Sequence, residues 1–341
     1  MYHYQFYIGS LAIDLTSRID IELDRYDRFF FSSILPTSDN MRVHIHLLDT
    51  AEYAAFNQST GISDISLQAD GFFYLSPDSE LAKLEVHRSR IAWQDDSYEY
   101  RLYQEQGQWI TVSRSLKAEE TIKHISHNTS CDIVETDITP HTATGSSISD
   151  IPTVDIYFTL PSWKKISYNY RPWGMMHIEE YMLGNHALVL HSASIICQDQ
   201  AILFTAPSGT GKSTHADLWH KIYPNIRDIN GDRTTLQYDG QNWLACGFPI
   251  FGSSYICEQL ACPIRAIIIL EQCPHNYIEQ LSSIQKISLL YSQITVPSFS
   301  EICVDTAMQY IEELISQIEV IRYHCNMEEE ASTLLHDYLF K

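Results

Sequence analysis

One short run of residues constrains this chain more than any other: Ala206-Pro-Ser-Gly-Thr-Gly-Lys-Ser213. The apolar run before it, Ala201-Ile-Leu-Phe-Thr205, predicts a buried strand, and the run after it, Thr214-His-Ala-Asp-Leu-Trp219, is typical of a helix. Its two flexible glycines let successive backbone N–H groups point into one concavity at the start of that helix, where phosphate oxygens bind well. A strand, a glycine-rich loop, Lys-Ser and a helix in this order predict a P-loop.

A P-loop assigns roles to particular side chains. Lys212 is expected to reach the β- and γ-phosphates of a nucleotide, and the Ser213 hydroxyl is expected to bind Mg²⁺. Ala206 stands where the first glycine is usual, a position that needs a small residue. The residues predicted to contact the nucleotide are Ala206, Pro207, Ser208, Gly209, Thr210, Gly211, Lys212, Ser213 and Thr214. The expected cofactors are therefore ATP and Mg²⁺.

The net charge of -21 over 341 residues argues against nucleic acid or an anionic membrane as a partner. It leaves open a basic peptide or protein partner, or an acidity that only keeps the chain soluble. No apolar run has membrane-spanning length, and the eight cysteines form no Cys-x-x-Cys pair, so a cytoplasmic protein is expected. His215 and His220 are spaced so that they do not share one helix face, and His124 and His127 lack a supporting glutamate motif, so no zinc site is expected.

The pattern of the chain changes near residue 150. Residues 1–150 contain short alternating segments, among them Arg42–Leu47 and the predicted hairpin Tyr98–Tyr103 with Trp109–Ser113, which indicate a β-rich N-terminal domain. The polar stretch Thr139–Ser149 is the best boundary. Residues 151–341 mix strands and helices around the P-loop, as in an α/β nucleotide-binding domain.

Candidate catalytic residues surround the P-loop. Asp232, in Ile229-Asn-Gly-Asp-Arg233, follows a predicted strand and is a candidate ligand of Mg²⁺ or a candidate base; the alternative is an ordinary turn aspartate. Arg233 is expected to bind phosphate or to pair with Asp228. His191 would come near the mouth of the P-loop through a hairpin that turns at Gln198-Asp-Gln200, although a structural histidine remains the alternative.

Two further segments are placed by their patterns. Gly247-Phe-Pro-Ile-Phe-Gly-Ser-Ser254 predicts a loop whose serines are able to contact a substrate or nucleotide, although turn chemistry explains its glycines equally well. Glu271 ends the apolar strand Ala266–Leu270, and a solvated strand-end glutamate is the expected role.

Taken together, the ordered segments His191–Ser194, Ala206–Ser213, Asn230–Arg233, Gly247–Gly252 and Ala266–Glu271 resemble the C-terminal catalytic domain of the HPr serine kinase/phosphatase family. The chain is most similar to the HPr-kinase-like proteins found with ribosomally made peptides, including lasso-peptide kinases. The resemblance covers roughly residues 186–290. It implies an α/β P-loop fold distantly similar to phosphoenolpyruvate carboxykinase, and transfer of phosphate from ATP to a serine with Mg²⁺.

The resemblance also implies site residues. His191 matches a histidine that precedes the P-loop, and Asp232 matches the second of two adjacent aspartates. Gly231 stands in place of the first aspartate, to which the acid/base role is commonly assigned, so the base is either Asp232 or Asp228. Thr214 replaces a glutamate, and the family's Arg-Gly-rich C-terminal signature is missing from the sequence, which disfavours a true HPr kinase/phosphatase.

Three functions follow as hypotheses. The first is an ATP-dependent serine kinase that acts on a peptide or small protein. Its N-terminal domain would recognise the acceptor, or would only cover the catalytic domain or form an oligomer interface. The second, supported by Gly231, is a nucleotide-binding regulatory or interaction module with little catalysis. The third is a small-molecule kinase, which would not need a separate recognition domain. The acceptor and the formation of a homo-oligomer stay open.

Overall fold

The structure is a computed structural model. It describes residues 1–20, 39–49, 51–52, 65–67, 73–75, 83–87, 90–94, 98–105, 108–116, 153–158 and 176–341 except 253, 298 and 299. The chain divides into two compact units: Met1–Gln5, Leu11–Ile21 and Thr37–Asn185 form unit 1, and Phe6–Ser10, Glu22–Pro36 and His186–Lys341 form unit 2. The predicted boundary stretch, Thr139–Ser149, lies outside the described residues, as do His124 and His127.

Ten described strands precede the first described helix. They are β1 (Tyr2–Ile8), β2 (Leu11–Ser17), β3 (Asp39–Leu47), β4 (Ile65–Leu67), β5 (Phe73–Leu75), β6 (Lys83–His87), β7 (Arg90–Gln94), β8 (Tyr98–Glu105), β9 (Gln108–Leu116) and β10 (Thr153–Phe158). Eight of them form a sheet in the order β1-β2-β3-β10-β9-β8-β7-β6, and β4 pairs with β5. The predicted hairpin is confirmed, because β8 and β9 pair antiparallel.

At the centre of this sheet, one face is apolar and the opposite face is polar. β3 runs parallel to both β2 and β10. Because side chains alternate along a strand, Val43, Ile45 and Ile156 share one face, and they are at most 4% exposed. His44 and Asp155 belong to the opposite face and are partly exposed. The alternation that predicts β3 from sequence therefore also determines which polar side chains meet on the other side.

Residues 176–341 carry the described helices and the remaining strands. The helices are α1 (Ile178–Gly184), α2 (Lys212–Ile222), α3 (Ser283–Tyr291), α4 (Glu301–Gln317) and α5 (Glu329–Phe340). The strands are β11 (Ala187–Cys197), β12 (Gln200–Thr205), β13 (Arg227–Asn230), β14 (Arg233–Tyr238), β15 (Trp243–Gly247), β16 (Ala261–Gln272), β17 (Tyr277–Gln280) and β18 (Glu319–Cys325). No described helix is long and apolar enough to cross a membrane.

Two long strands organise the sheet of unit 2. The first half of β11 pairs with β14 and its second half with β12, while β16 pairs with β15 at its start and with β12 and β18 further on. The path β11-β14-β15-β16-β12 therefore returns to β11. Strands β12, β16 and β18 are parallel, so their C-terminal ends meet at one edge. That edge carries the loop predicted to bind phosphate.

Helix α2 is fixed to the sheet by a core that includes Phe204, Trp219 and Tyr323, all of which are fully buried. Leu335 of α5 belongs to the same cluster. Burying a large apolar side chain stabilises the fold by roughly 1.5–3 kcal/mol. The direction in which α2 leaves the P-loop is therefore set by packing along its whole buried face.

Candidate functional site

The predicted strand, glycine-rich loop and helix are present. β12 ends at Thr205, and α2 begins at Lys212. Gly209 and Gly211 have φ angles of 82° and 105°, a region that favours glycine. Gly211 is also the N-cap of α2 and has no side chain with which to cap it. The first N–H groups of the helix are thus not satisfied by a capping side chain, as an anion-binding helix start requires.

Lys212 is folded back over the loop. Its Nζ donates hydrogen bonds to the carbonyl oxygens of Ala206 at 2.9 Å and Pro207 at 3.4 Å, and the residue is only 7% exposed. Burial lowers the pKa of Lys212, and the neighbouring Asp232 carboxylate opposes that shift. The lysine links the two ends of the loop, so its position is defined before any ligand binds.

The outer side of the loop is open. Pro207, Ser208, Gly209, Ser213 and Thr214 are exposed. A side chain built on Gly209 would meet nothing within 4 Å. On its inner side the loop is held by neighbours, because Gln272 Nε2 donates to the Thr210 carbonyl at 3.2 Å. A rigid base with an accessible surface suits a loop that binds a ligand through its backbone.

His191 reaches the position expected for it. The hairpin of β11 and β12 turns at Gln198 and Asp199, both with positive φ. It brings His191 beside the last residue of β12, where Thr205 Oγ1 donates to the His191 carbonyl at 2.9 Å. His191 Nε2 lies 3.4 Å from Asp232 Oδ1. The predicted proximity of His191 to the P-loop is therefore confirmed.

Asp232 is positioned by the turn that contains it. Asn230 is 1% exposed, and its Oδ1 accepts hydrogen bonds from the backbone N–H groups of Asp232 and Arg233, both at 2.8 Å. Its Nδ2 donates to the Phe248 carbonyl, which ties the turn to the loop after β15. Sequence reasoning missed this role of Asn230, although an asparagine bonded to the backbone two residues further on is a recognised turn signal.

Several groups hold the charge of Asp232. Arg233 Nε lies 3.5 Å from Asp232 Oδ2, while Arg233 also donates to Thr295 Oγ1 at 2.8 Å. Burial alone would raise the pKa of Asp232, but the hydrogen bond from His191 and the charges of Arg233, His191 and Lys212 outweigh it and leave the pKa below its ordinary value. Asp232 is an anion at neutral pH. The predicted pair of Arg233 with Asp228 is wrong, because Arg233 pairs with Asp232.

A cavity of about 230 Å³, the Ser213 cavity, lies beside the loop. The polar side chains that line it are Ser194, Ser213, Asp217, Asp228, Asn230 and Ser254. Asp228 Oδ1 lies 2.9 Å from His220 Nε2 of α2. Asp217 was not foreseen, although its spacing of four residues from Ser213 puts both on one helix face. This cavity combines the hydroxyl of the P-loop serine with two carboxylates, the ligand types that Mg²⁺ prefers.

Gly231 is enclosed by the loop that follows β15. A Cβ placed on Gly231 would overlap Oγ and Cβ of Ser254. Ser254 is itself held, because its Oγ donates to the Phe251 carbonyl at 2.7 Å and accepts from the Ile256 N–H at 3.2 Å. The position where the resemblance leads one to expect an aspartate therefore has no room for one, and the Ser254 hydroxyl lines the cavity there.

Two other predicted residues have plainer surroundings. Glu271, near the end of β16, has a side chain 54% exposed, with Arg322 Nε at 3.5 Å and His324 Nδ1 at 3.7 Å. His215 is fully buried between Phe204 and Tyr323, and its ring nitrogens have no hydrogen-bond partner among the described residues. Burial lowers the pKa of His215 to about 4, so it is neutral at physiological pH.

No protein-family model matches the chain, and no curated protein matches it either. The site has therefore to be interpreted from its own residues.

Proposed function

We propose that this protein is an ATP- and Mg²⁺-dependent phosphotransferase whose nucleotide site is the loop from Ala206 to Thr214. The observation that carries the proposal is the loop itself, with left-handed glycines at 209 and 211 and with Lys212 held against it beside Asp232. ATP would supply the phosphoryl group, and Mg²⁺ would neutralise charge on the β- and γ-phosphates.

The residues of the chain divide this work. Lys212 exchanges its hydrogen bonds with the Ala206 and Pro207 carbonyls for phosphate oxygens, at small cost because its ammonium is already desolvated. Ser213 presents its hydroxyl to Mg²⁺ in the Ser213 cavity, where Asp217 and Asp228 supply negative charge. Asp232 holds Lys212 and orients the acceptor hydroxyl. Phosphoryl transfer depends mainly on such positioning and electrostatics, so a strong base is not required.

For the acceptor we propose a serine in a peptide or small protein. The resemblance to the HPr-kinase-like proteins of ribosomal peptide pathways supports a serine, and a peptide precursor of the lasso type is the example it suggests. The net charge of -21 favours an acceptor that carries lysine or arginine, with binding that weakens as salt rises. The large eight-stranded sheet of the N-terminal half offers strand edges that an extended peptide is able to pair with.

The direct test is transfer of label from γ-labelled ATP to serine-containing acceptor peptides. Lys212→Ala should remove transfer, whereas Lys221→Ala should not, because Lys221 is exposed in the last turn of the same helix. Equal transfer by the two variants, both folded, would exclude the P-loop as the nucleotide site.

The regulatory module is the second candidate, and a specific observation favours it. The position of Gly231 has no room for an aspartate. In the HPr serine kinase/phosphatase family, which the chain resembles, the acid/base role is commonly assigned to an aspartate at this position. Nucleotide binding that depends on Lys212, together with no transfer to any peptide or to water, would support the module and reject the kinase.

The role of residues 1–150 in acceptor binding is tested separately. A bound acceptor peptide should protect backbone amides of the N-terminal half from hydrogen exchange, or cross-link to it. Protection confined to residues 186–341 would reject acceptor recognition by residues 1–150 and leave the nucleotide site unaffected.

A further inference from the structure

Outside the P-loop, one cluster of side chains in unit 1 has the composition of a metal site. His44 and His46 are two residues apart on β3, so both side chains belong to the same face of the sheet. The neighbouring parallel strand β10 pairs Asp155 with His44 in register. Two imidazoles and a carboxylate thus meet where two adjacent strands run side by side.

The distances fit one small cation. His46 Nε2 lies 2.7 Å from Asp155 Oδ1, and His44 Nδ1 lies 3.5 Å from the same oxygen. One ligand atom from each of the three residues falls within 4.8 Å of the others. Tetrahedral zinc, with bonds of about 2.0–2.1 Å, separates its ligand atoms by about 3.3 Å. The separations of 2.7 and 3.5 Å in this cluster lie on either side of that value.

The surroundings favour ligands that are held and accessible. The side chains of His44 and His46 are 37% and 39% exposed, and that of Asp155 is 18% exposed. The ring of His46 stacks on Tyr157 with centroids 4.6 Å apart and planes at 12°.

We propose that His44, His46 and Asp155 bind a divalent transition metal, Zn²⁺ in the first place, through two imidazole nitrogens and one carboxylate oxygen. Imidazole selects zinc, copper or nickel over Mg²⁺, which prefers oxygen ligands. Three protein ligands and partial exposure leave a coordination position for water or for a group on a bound partner. The metal is thus distinct in type and place from the Mg²⁺ of the proposed kinase site.

The experiment is titration of the full-length chain, purified without a histidine tag, with Zn²⁺ and separately with Co²⁺. Excess Mg²⁺ is present throughout, so that binding at the oxygen-rich Ser213 cavity does not contribute. We expect one Zn²⁺ per chain. Bound Co²⁺ should show visible ligand-field bands without the sulfur charge-transfer absorption that cysteine ligands produce.

The variants are His44→Gln, His46→Gln and Asp155→Asn, with His3→Gln as the matched control, since His3 is an exposed histidine on β1 of the same sheet. Loss of a direct ligand should weaken Zn²⁺ binding at least as much as loss of an outer-shell partner, which costs about 10–100-fold. His3→Gln should bind as the wild type does. Circular dichroism establishes that each variant is folded.

A second measurement needs no variant. Zn²⁺ should protect His44 and His46, but not His3, from carbethoxylation in the wild-type chain, as read by peptide mass spectrometry. Absence of stoichiometric binding, cobalt spectra of thiolate type, or equal affinity in all four variants would each overturn the proposal. In that case the cluster is a hydrogen-bonded His–Asp group on a sheet surface.

Discussion

Two carboxylates near the glycine-rich loop, Asp232 and Asp228, have different electrostatic surroundings. Asp232 lies close to Arg233 and His191, and the positive charge of Lys212 also acts on it. The pKa of Asp232 is below its ordinary value despite its partial burial. Asp228 Oδ1 lies 2.9 Å from His220 Nε2, and the residue lines the cavity that contains Ser213. Asp232 is thus an anion held among cations, whereas Asp228 faces an open cavity.

This difference suits the two carboxylates to two different tasks in the proposed phosphoryl transfer, electrostatic anchoring and contact with a metal ion. An anion with a low pKa is a weak proton acceptor but a good electrostatic anchor, because it keeps its charge throughout the reaction. A carboxylate beside the cavity is better placed to contact a metal ion through water. We therefore expect the loss of Asp232 to damage transfer more than the loss of Asp228 does.

The largest effect is expected from Lys212→Ala, which removes the cation that donates to the Ala206 and Pro207 carbonyls beside Asp232. Phosphoryl transfer should fall by at least ~10²-fold, because charge on the transferred group is no longer compensated. The measurement is the rate of transfer from ATP, with circular dichroism to show that the variant is folded. An unchanged rate in a folded variant would remove the P-loop from the mechanism.

The second effect tests the comparison itself. Asp232→Asn keeps the shape of the side chain and removes the charge that holds Lys212 and orients the acceptor hydroxyl, so transfer should fall by about 10²-fold while ATP still binds. Asp228→Asn should cost roughly tenfold, as is typical of an outer-shell partner of a metal. Both variants are assayed for single-turnover transfer and for ATP affinity. The reverse order of effects would assign the catalytic role to Asp228.

The third effect concerns Gly231, which lies between Asp228 and Asp232 in the sequence. Gly231→Ala introduces a Cβ that overlaps Ser254, and overpacking of this kind typically costs about 1–3 kcal/mol of stability. Ser254→Gly removes the obstacle, so the double variant should recover most of that loss in a denaturant unfolding cycle. If the two substitutions are simply additive, Ser254 is not what excludes a side chain at Gly231.

Much of this fold follows from local pattern. The glycine-rich loop and α2 are encoded by consecutive residues, and the run Thr214–Trp219 that predicts a helix lies within α2, Lys212–Ile222. Local periodicity determines such elements because each depends on its own hydrogen bonds and its own buried face.

What sequence reasoning missed depends on pairing between distant segments. Ser254 closes over Gly231 only because the loop after β15 packs on the end of β13. His46 and Asp155 are 109 residues apart, and only the register of β3 against β10 brings them together. Sequence reasoning therefore considered histidines close in sequence and expected no zinc site, whereas this cluster arises from strand order.

The smallest effect is expected from substitution of His215, and it concerns the dependence of folding stability on pH. The environment of His215 contrasts with that of Asp232. Asp232 is half-buried among compensating charges, whereas His215 is fully buried against Phe204 and Tyr323, and burial lowers its pKa to about 4 in the folded chain. In the unfolded chain the pKa of His215 is near its ordinary value of 6.5, so the unfolded chain binds a proton first as the pH falls. His215 therefore adds full stability above pH 6.5, and that contribution is lost between pH 6.5 and pH 4, by up to about 3 kcal/mol.

Denaturant unfolding across this range should show a shallower pH dependence in His215→Leu than in the wild type or in the exposed control His275→Leu. If the wild type and His215→Leu lose stability in parallel, His215 is not neutral in the folded protein, or a charged partner reaches it, and the contrast with Asp232 fails.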